Sequence, residues 1–370
     1  MFGERVLAEA ANGLPAFVYD LAGLRIHVAA VRAALDGAAE LYYAAKANPE
    51  APILRTLAPL VDGVEVASGG ELEHVRAVLP DVRLAFGGPG KTDAELRAAL
   101  ERGVHRVHVE SPHELRRLAA LGRPLDVLLR VNLSVDRSKA ALAMSGPFGM
   151  DPAAIEECRP LLAAAPHLRL RGIHAHLASG LDAPALLDQS AAVLAWARPW
   201  LTGVPDPEIN LGGGMAVDYA DPSRRFDWAG YAAGLRKLAR PGETLRIEPG
   251  RALTVYCGWY VTDVLDVKRA HDAWYAVLRG GTMHLRTPVT KNHDQPFTVL
   301  RRTAAEPRTT EPVTLVGQLC TPKDVFARRA DAGSLGVGDV VAFTMAGAYA
   351  WNISHHDFLM HPKPRLVHLA

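Results

Sequence analysis

The sequence predicts an α/β protein in which a (β/α)8 barrel of the TIM type is followed by an all-β domain. Three observations support this prediction. Short apolar runs alternate with alanine- and leucine-rich stretches of helical spacing through the first two-thirds of the chain. Polar residues or glycines stand where the apolar runs end. After about Val255 the helical stretches stop, and short β-branched runs follow one another with turn residues between them.

Eight apolar runs predict the barrel strands, and helical stretches lie between them. The strand-like runs are Leu41–Ala47, Val64–Ser68, Arg83–Gly87, Val104–Glu110, Asp126–Asn132, Leu170–Leu177, Glu208–Leu211 and Thr244–Glu248. The helical candidates include Pro52–Leu60, Glu71–Leu79, Ala94–Arg102, Pro112–Leu121, Ala153–Ala164 and Pro184–Leu201. Three of these candidates follow good capping residues, namely Thr92, Ser111 and Asp151. Eight strand–helix units over about 230 residues are what such a barrel needs.

A doubly wound open sheet would show the same alternation, so the placement of polar residues has to decide between the two folds. In a barrel all the strand ends meet at one mouth, whereas the outer strand ends of an open sheet lie far apart. The residues at the predicted strand ends are Lys46, Ser68, Glu110, Asn132, His176, Gly212 and Glu248. Because these residues include most of the candidates for chemistry, the barrel is the preferred prediction.

The second domain is predicted from short β-branched runs near the end of the chain. They are Trp259–Val267, Trp274–Leu278, Thr298–Arg302, Val313–Val316 and Val340–Met345. The run Pro15–Tyr19 is expected to pair with this domain, because an N-terminal strand ahead of a barrel has no partner there. We therefore expect a barrel over residues 20–255 and a β-domain formed by residues 1–19 and 256–370.

Composition excludes several classes of partner. The chain has 370 residues, with 41 Lys and Arg against 40 Asp and Glu and a formal net charge of +1. This balance gives no drive to bind nucleic acid or an anionic membrane. The first eleven residues are too charged for a signal peptide, and no apolar stretch of about 18 residues suggests a membrane span. The 3 scattered cysteines predict neither a disulfide framework nor a zinc site. We expect a soluble cytoplasmic protein.

Three segments at strand ends carry candidate chemistry. Lys46 ends an apolar strand that faces a barrel interior, so we expect its amine to be partly desolvated and able to form a Schiff base. The triplet Gly212–Gly214 lets backbone N–H groups approach an anion, although a plain tight turn remains the alternative. Glu248 and Arg251 lie three residues apart and can address different parts of one ligand.

The motif His174-Ala175-His176 invites a metal interpretation, since the two imidazoles fall on one strand face. No carboxylate or third histidine stands at ligand spacing nearby in the sequence, so we expect no metal site. An imidazole stacked on a ligand ring suits His176 better. Ser179, three residues further on, can donate to a phosphate.

Several ordered motifs then point to a known family. They are Tyr43–Asn48 around the lysine, Val66–Leu72, Pro89–Thr92, His176–Gly180, Gly212–Gly214, Glu248–Arg251, Gly317–Cys320 and Gly347–Tyr349. In residues and in order, over nearly the whole chain, they resemble the fold-type III pyridoxal-phosphate decarboxylases. This family comprises the ornithine, arginine and diaminopimelate decarboxylases and is related to alanine racemase.

The resemblance implies a role for each matched residue. Lys46 would bond covalently to pyridoxal phosphate, His176 would stack on the pyridine ring, and Glu248 would bind the pyridine nitrogen. The residues that would hold the phosphate are Ser179, Gly213, Gly214, Arg251 and Tyr349. Cys320 would be the acid–base residue, which in this family reaches the site from the partner subunit. A homodimer with shared active sites is therefore implied.

Glu248 favours decarboxylation over racemisation. A carboxylate against the pyridine nitrogen keeps that nitrogen protonated and strengthens the electron sink of the cofactor. By resemblance, alanine racemase has an arginine there and a weaker sink. After CO2 leaves, Cα needs a proton, and the thiol of Cys320 is the candidate donor.

The substrate pattern departs from that of the free basic amino acids. The family places an acidic residue after the cysteine to pair with a distal amine, whereas here Thr321 follows Cys320. Asp324 is three positions further on and is the remaining acidic candidate. Diaminopimelate decarboxylases also grip the distal carboxylate with an Arg-Pro pair. Here Arg286 is displaced by one position, and Thr287 precedes the proline.

The runs Leu319–Asp324 and Ile353–Leu359 look most like a subgroup that serves siderophore and antibiotic assembly. Its substrates are larger, such as a citryl-diaminopropionate or a glutamyl group on a carrier protein. The residues that could accept a polyanionic citryl head are His284, Arg286, Lys323, His355 and His356. If histidine charge contributes, binding should weaken as the pH rises past about 6.5.

Three alternatives stay open from the sequence. One is a decarboxylase of a free diamino acid of the diaminopimelate or ornithine type, with Asp324 binding the distal amine. Another is a racemase or epimerase on the same fold. The third is a protein that carries the cofactor without turnover, against which the whole β-domain with Cys320 and Tyr349 counts.

Overall fold

The structure is a computed structural model that describes residues 2–135, 138–144, 146–286, 293–300 and 305–370. The chain divides into two compact units. The barrel unit consists of Arg25–Val217 and Phe226–Leu253. The β unit consists of Met1–Leu24, Asp218–Arg225 and Thr254–Ala370.

The strands among the described residues are numbered in chain order. They are β1 Ala16–Asp20, β2 Glu40–Ala44, β3 Gly63–Val66, β4 Leu84–Phe86, β5 Arg106–Val109, β6 Leu125–Arg130, β7 Leu142–Ala143, β8 Leu168–His174, β9 Ala178–Ser179, β10 Glu208–Asn210, β11 Thr244–Ile247, β12 Gly258–Ala270, β13 Ala273–Leu278, β14 Phe297–Leu300, β15 Arg308–Thr309, β16 Val313–Val316, β17 Val325–Ala330, β18 Leu335–Gly336, β19 Val340–Phe343 and β20 Arg365–Leu369.

The α-helices of the same residues are also numbered in chain order. They are α1 Phe2–Ala10, α2 Leu21–Leu35, α3 Ala51–Leu57, α4 Gly69–Val78, α5 Asp93–Glu101, α6 Pro112–Ala120, α7 Pro152–Glu156, α8 Cys158–Ala164, α9 Ala183–Trp200, α10 Trp228–Leu238 and α11 Arg251–Thr254. Within the described part of the chain, no helix combines the length and the apolar character that a bilayer crossing requires.

The barrel prediction is confirmed, and the open sheet is excluded. Parallel strands close in the order β10-β11-β2-β3-β4-β5-β6-β8, and β2 pairs with β3 on one side and with β11 on the other. Each of the eight predicted runs overlaps one of these strands, although the strands are shorter than the runs and four of them, β2, β3, β6 and β8, begin one or two residues earlier. Lys46, His176, Gly212 and Glu248 come directly after barrel strands or within two residues of their ends. Because the strands are parallel, these residues lie at the carboxyl-terminal end of the barrel.

The three helix caps predicted from sequence are present. The Thr92 side chain accepts from the backbone N–H of Glu95 in a full capping box, and Ser111 and Asp151 cap α6 and α7. The predicted helix Ala153–Ala164 is instead broken between α7 and α8. Pro160, in the first turn of α8, has no N–H to bond back to the preceding turn, which explains the interruption.

The β unit has a mixed sheet in the order β14-β19-β12-β13-β16-β17, and β1 pairs with β12 and β20. The expected pairing of Pro15–Tyr19 with this domain is confirmed, because Ala16 lies opposite Val261 of β12. Of the predicted run Thr298–Arg302, the structure has a strand up to Leu300, and the last two residues lie outside the described residues. A core of buried side chains such as Val18 and Val261 supports the sheet.

The amino-terminal end of the barrel carries a buried network of ion pairs. Glu208 on β10 accepts from Nε of Arg106 at 2.8 Å, and its Oε2 lies 3.1 Å from Nη1 of Arg246. Arg246 also donates through Nε to Glu40 at 2.9 Å, and its guanidinium lies 4.4 Å from the ring centre of Tyr42. Although burial opposes it, contact with the two arginines lowers the pKa of Glu208. The arginines and glutamates of this network are therefore paired with one another.

Candidate active site

Lys46 lies in a short 3-10 turn, Ala45–Ala47, that directly follows β2. Its ammonium contacts the carboxylate of Glu65, a buried residue on the neighbouring strand β3. Burial raises the pKa of Glu65, and the positive charge of Lys46 opposes that rise. The Lys46 side chain is 44% exposed, so it is partly desolvated as expected, but its ammonium is also ion-paired, which the sequence did not indicate. The turn lifts the amine beyond the apolar strand, where it is accessible to a carbonyl compound.

Glu248 follows β11 and is buried. Asn210 donates from Nδ2 to Glu248 Oε1 at 2.6 Å and accepts on Oδ1 from the backbone N–H of Gly212. On the other side, Nε2 of His174 lies 3.3 Å from Glu248 Oε2. Residues from neighbouring strands thus fix the carboxylate at the mouth of the barrel.

His176 is held in one tautomer by its neighbours. Its Nδ1 accepts from the backbone N–H of Gly213 at 3.2 Å, and its Nε2 lies 3.3 Å from Ser179 Oγ. Burial lowers the pKa of His176 to about 3, and the charges of Lys46 and Arg130 act in the same direction. The imidazole is therefore neutral, with its hydrogen on Nε2 pointing at Ser179. The hydroxyl hydrogen of Ser179 is then available to an anion.

The glycine triplet packs too closely for side chains. A Cβ on Gly213 would lie 2.5 Å from the carbonyl oxygen of Glu248, and one on Gly214 would lie 2.3 Å from that of Ala178. Gly212 and Gly214 have φ values of +71° and +99°, in the region that favours glycine. The triplet packs between the segments that follow β8 and β11. It has no side chains that would keep an anion away from its backbone N–H groups.

The β unit contains the loop that carries Cys320, and Asp324 organises it. The buried carboxylate of Asp324 accepts from the backbone N–H of Thr282 at 2.6 Å and from that of Leu319 at 2.8 Å. Both oxygens are therefore used by the backbone. This arrangement argues against the expectation that Asp324 receives a distal amine, because an anion already satisfied by two amides offers little to a further cation.

Two glycines make room for this carboxylate. A Cβ on Gly281 or Gly317 would lie 2.7 Å or 2.3 Å from Asp324 Oδ2. Gln318 adds a second pair of hydrogen bonds, since its side chain accepts from the N–H of Gly280 and its own N–H donates to the Gly280 carbonyl, each at 2.7 Å. The loop is thus tied to segment 280–282. Cys320 is exposed on it.

The predicted anion donors of the β unit differ in their surroundings. His284 is buried, its Nδ1 lies 3.0 Å from the hydroxyl of Tyr260, and burial lowers its pKa to about 4. The expectation that His284 supplies positive charge is therefore wrong. Arg286, Lys323 and His355 are exposed, and Thr321 is partly exposed.

Ser354 joins two of the predicted segments. Its hydroxyl accepts from the backbone N–H of Arg286 at 3.1 Å and lies 2.9 Å from the carbonyl oxygen of His284 and 2.6 Å from that of Ala350. His356, two residues on, stacks on Trp351 with ring centroids 3.8 Å apart. Arg286 and the histidine pair are consequently brought onto adjoining segments. The Thr287-Pro288 pair that was compared with the Arg-Pro grip lies outside the described residues.

The two remaining phosphate candidates belong to different units. Arg251 is the first residue of α11 in the barrel unit. Tyr349 lies in the β unit with a φ of +50°. Beside it, Gly347 donates to the carbonyl of Val255, and a Cβ there would collide with the carbonyl of Thr254. The conformation of this segment is therefore set by close backbone packing.

Several polar residues of the site were not singled out from the sequence. Glu65, His108 and Asn210 are buried, and each lies inside a short apolar strand. The signal was present, because a polar residue within a buried strand needs a partner or a function. Folding also brings a carboxylate and a further histidine beside His174, namely Glu248 and His108, which are distant from it in the sequence.

Comparison with known proteins places this geometry in a family. The family described as "Pyridoxal-dependent decarboxylase, pyridoxal binding domain" matches residues 21–255. The chain belongs to this family of pyridoxal-dependent decarboxylases. A "2-[(L-alanin-3-ylcarbamoyl)methyl]-2-hydroxybutanedioate decarboxylase" of Staphylococcus aureus is 42% identical over 375 residues, covering 96% of this chain and 94% of that protein. A diaminopimelate decarboxylase of Pseudomonas aeruginosa is 33% identical, covering 92% and 84%.

A solved structure supports the fold of this decarboxylase. The crystal structure of a variant diaminopimelate decarboxylase from Helicobacter pylori, complexed with L-lysine, superposes with a TM-score of 0.87. It covers 97% of this chain and 92% of that one at 24% identity. Both have the closed parallel barrel and the additional sheet, as expected from the sequence.

The cofactor of the family is pyridoxal phosphate, and the enzyme is a carboxy-lyase. The donor set of the barrel unit fits this cofactor. An exposed primary amine, Lys46, suits its aldehyde, and a buried carboxylate, Glu248, suits its ring nitrogen. The neutral imidazole of His176 and the bare backbone of the glycine triplet suit a flat ring and a phosphate.

Proposed function

We propose that this decarboxylase removes the α-carboxylate of an amino acid that is already joined to citrate, in the biosynthesis of a siderophore. The observation that carries the proposal is the 42% identity to the S. aureus enzyme over nearly the whole of both chains. The name of that enzyme's substrate describes a citrate linked through an amide to the 3-amino group of a 2,3-diaminopropionate. Decarboxylation of such a compound leaves an ethylenediamine-type amide of citrate.

The barrel unit would hold and tune the cofactor. Lys46 Nζ would bond to it covalently, the His176 ring would lie against its ring, and Glu248 would keep a proton at the pyridine nitrogen. When bound, pyridoxal phosphate supplies the electron sink for the pair of electrons that CO2 leaves at Cα. The groups proposed to hold its phosphate are Ser179, Gly213, Gly214, Arg251 and Tyr349.

Cys320 would return a proton from Sγ to Cα after CO2 has left. We place it in the active site of the partner subunit, so that the β unit would contribute to a dimer interface as well as to the site. Support for this role comes from the exposed thiol on a loop whose shape is set by Asp324 and Gln318. A thiol held on a backbone-tied loop is presented in one position.

The electrostatics of the Cys320 loop argue against a free diamino acid. A distal ammonium would meet the neutral hydroxyl of Thr321, because the carboxylate of Asp324 is already used by two backbone amides. Burying an unpaired ammonium is costly. A citryl head instead carries carboxylates, which the exposed Arg286, Lys323 and His355 could bind.

A panel assay of CO2 release tests the substrate. We expect the citrate-conjugated L-diaminopropionate to exceed free lysine, ornithine and diaminopimelate in kcat/KM by at least about a hundredfold, roughly 2.7 kcal/mol of transition-state stabilisation. Arg286→Ala should raise KM for the conjugate, whereas Arg236→Ala, which changes an arginine of the barrel unit bonded to Leu35 and Asp36, serves as the matched control. A higher kcat/KM with ornithine, lysine or diaminopimelate would overturn the substrate and favour a decarboxylase of free diamino acids.

Mixed dimers test the shared site. Neither Lys46→Ala nor Cys320→Ala protomers should be active alone, but mixing them should restore one intact site per heterodimer. Random pairing then gives up to about a quarter of the wild-type activity. The heterodimers are verified with two different affinity tags. If verified heterodimers recover no activity, the thiol does not act across the interface.

A further inference from the structure

His108 and His174 form a stacked imidazole pair beside Glu248. Their ring centroids are 4.2 Å apart and the rings are inclined by only 13°. His108 lies within β5 and His174 is the last residue of β8, and both side chains are buried. Neither histidine has a role in the function proposed above.

The pair faces the two oxygens of one carboxylate. Nε2 of His174 lies 3.3 Å from Glu248 Oε2, and Nε2 of His108 lies 3.7 Å from Oε1. Asn210 donates to Oε1 at 2.6 Å. Three nitrogen-bearing side chains from three strands therefore surround Glu248, and none of the three carries a fixed charge.

Both imidazoles are neutral. Burial holds the pKa of each well below its usual range. Nearby positive charges act in the same direction, Lys91 and Arg246 on His108, and Arg130 and Lys46 on His174. The negative charge of Glu248 favours protonation of His108 but does not outweigh burial.

The cations around Glu248 already have carboxylates of their own. Lys46 pairs with Glu65, and Arg130 donates to Glu110 at 2.5 Å. Lys91 pairs with Glu114 at 2.8 Å, and Arg246 belongs to the network at the other end of the barrel. Among the residues that the structure describes, these pairings leave Glu248 beside the amide of Asn210, which donates to it, and two neutral imidazoles, which contact it without a hydrogen bond.

The geometry does not favour a metal ion, although the three residues offer two imidazoles and a carboxylate within 4.8 Å. An imidazole binds a metal along the lone pair of its nitrogen, which lies in the plane of the ring. Two nearly parallel, stacked rings have no common plane in which one ion could sit. The pair is thus arranged for stacking and not for shared coordination.

We propose that His108, stacked on His174, is a positioning residue that holds Glu248 in place with uncharged contacts, so that the negative charge of Glu248 is reserved for the pyridine nitrogen of the cofactor. A cation in the place of His108 would pair with Glu248 and compete with the protonated ring nitrogen. The inference rests on the proposed role of Glu248 and adds residues that act through it.

Binding of two cofactors to the apoenzyme tests this inference without any turnover. The probes are pyridoxal phosphate and its 1-deaza analogue, which has a carbon in place of the ring nitrogen. Wild-type protein should prefer pyridoxal phosphate. His108→Lys should weaken the binding of pyridoxal phosphate by at least about tenfold and leave the binding of the analogue nearly unchanged. His108→Asn, which keeps an uncharged polar side chain, should retain the wild-type preference.

The double variant His108→Lys/Glu248→Gln should bind both cofactors as Glu248→Gln alone does, because the lysine then has no carboxylate to neutralise. If His108→Lys does not fold, His108→Phe keeps the stacked ring without its nitrogens and should lose part of the preference. Equal weakening of both cofactors, or no weakening, would overturn the inference. A wild type that does not distinguish the two cofactors would instead overturn the proposed role of Glu248.

Discussion

The two ends of the barrel use buried charge in opposite ways. At the amino-terminal end, Glu208 lies between Arg106 and Arg246, and the charges neutralise one another. At the carboxyl-terminal end, the buried imidazole nitrogens of His108 and His174 have no hydrogen-bond partner within the described part of the chain. The first arrangement stabilises the fold, and the second leaves the negative charge of Glu248 beside neutral side chains and available to a ligand. In a barrel of this type stability and chemistry are separated along the strand axis.

The largest expected effect of a substitution at the carboxyl-terminal end is on cofactor attachment. Lys46→Ala should abolish the borohydride-reducible absorbance of the bound cofactor, because no other group at the strand end replaces the amine. Lys46→Arg keeps a positive charge beside Glu65 without a primary amine, so it serves as the matched control and should fail equally. A colourless wild type that takes up no added pyridoxal phosphate would contradict the cofactor site.

The corresponding change at the amino-terminal end should act on stability alone. Glu208→Gln leaves Arg106 and Arg246 without their shared carboxylate, and breaking such a buried pair costs about 3–5 kcal/mol of unfolding free energy. Urea unfolding measures the loss, and cofactor absorbance of the folded fraction should stay at the wild-type level. Glu73→Gln, in an exposed pair with Arg102, is the control and should unfold like the wild type. Loss of cofactor binding in the folded Glu208→Gln variant would contradict the assignment of stability to one end of the barrel and chemistry to the other.

A smaller effect is expected from Glu248→Gln on the reaction itself. At saturating cofactor the variant should release CO2 at least about tenfold more slowly, roughly 1.4 kcal/mol of barrier, because a neutral amide does not enforce a protonated pyridine nitrogen. Single-turnover CO2 release is the measurement. An unchanged rate would mean that the strength of the electron sink does not limit the reaction.

The smallest expected effect is on how the free energy of unfolding changes at acidic pH, through His176. The pKa of His176 is about 3 in the folded chain, against about 6.5 when unfolded. Below about pH 6.5 the unfolded state therefore binds a proton that the folded state does not. The free energy of unfolding consequently decreases as the pH is lowered. The slope is at most about 1.4 kcal/mol per pH unit for this histidine. His176→Asn should flatten the decline between pH 6.5 and about 4.5 in urea titrations of the apoenzyme. An unaltered slope would assign the acid sensitivity to other groups.

The fold could be predicted from sequence because its signals are local. All eight barrel strands overlap predicted runs, and four of them begin only one or two residues before the run. The break at Pro160 is a local effect of the same kind, but periodicity outweighed it in the prediction of Ala153–Ala164. Barrel closure was predictable because candidate chemical residues stand at the ends of most predicted strands, and only a closed barrel brings all those ends together.

The site was less predictable, because burial and pairing are properties of the folded chain. Lys46 is partly desolvated as expected, but the neighbour that pairs with it, Glu65, is 19 positions away on the next strand and was not predicted. His284 looked like a cation and is a buried neutral ring beside Tyr260. Asp324 looked like a substrate ligand, and its carboxylate bonds to backbone amides. The sequence motifs identified the candidate site residues. The contacts that determine their charge states are visible only in the structure.

The Asp324 loop has a consequence for how substrate preference can diversify. Its shape is encoded by Gly281, Gly317 and the carboxylate they accommodate, and none of these is the residue that follows the cysteine. Thr321 can therefore be exchanged without rebuilding the backbone that presents Cys320. A lineage of such enzymes can keep one way of delivering a proton while it changes the molecule that receives it.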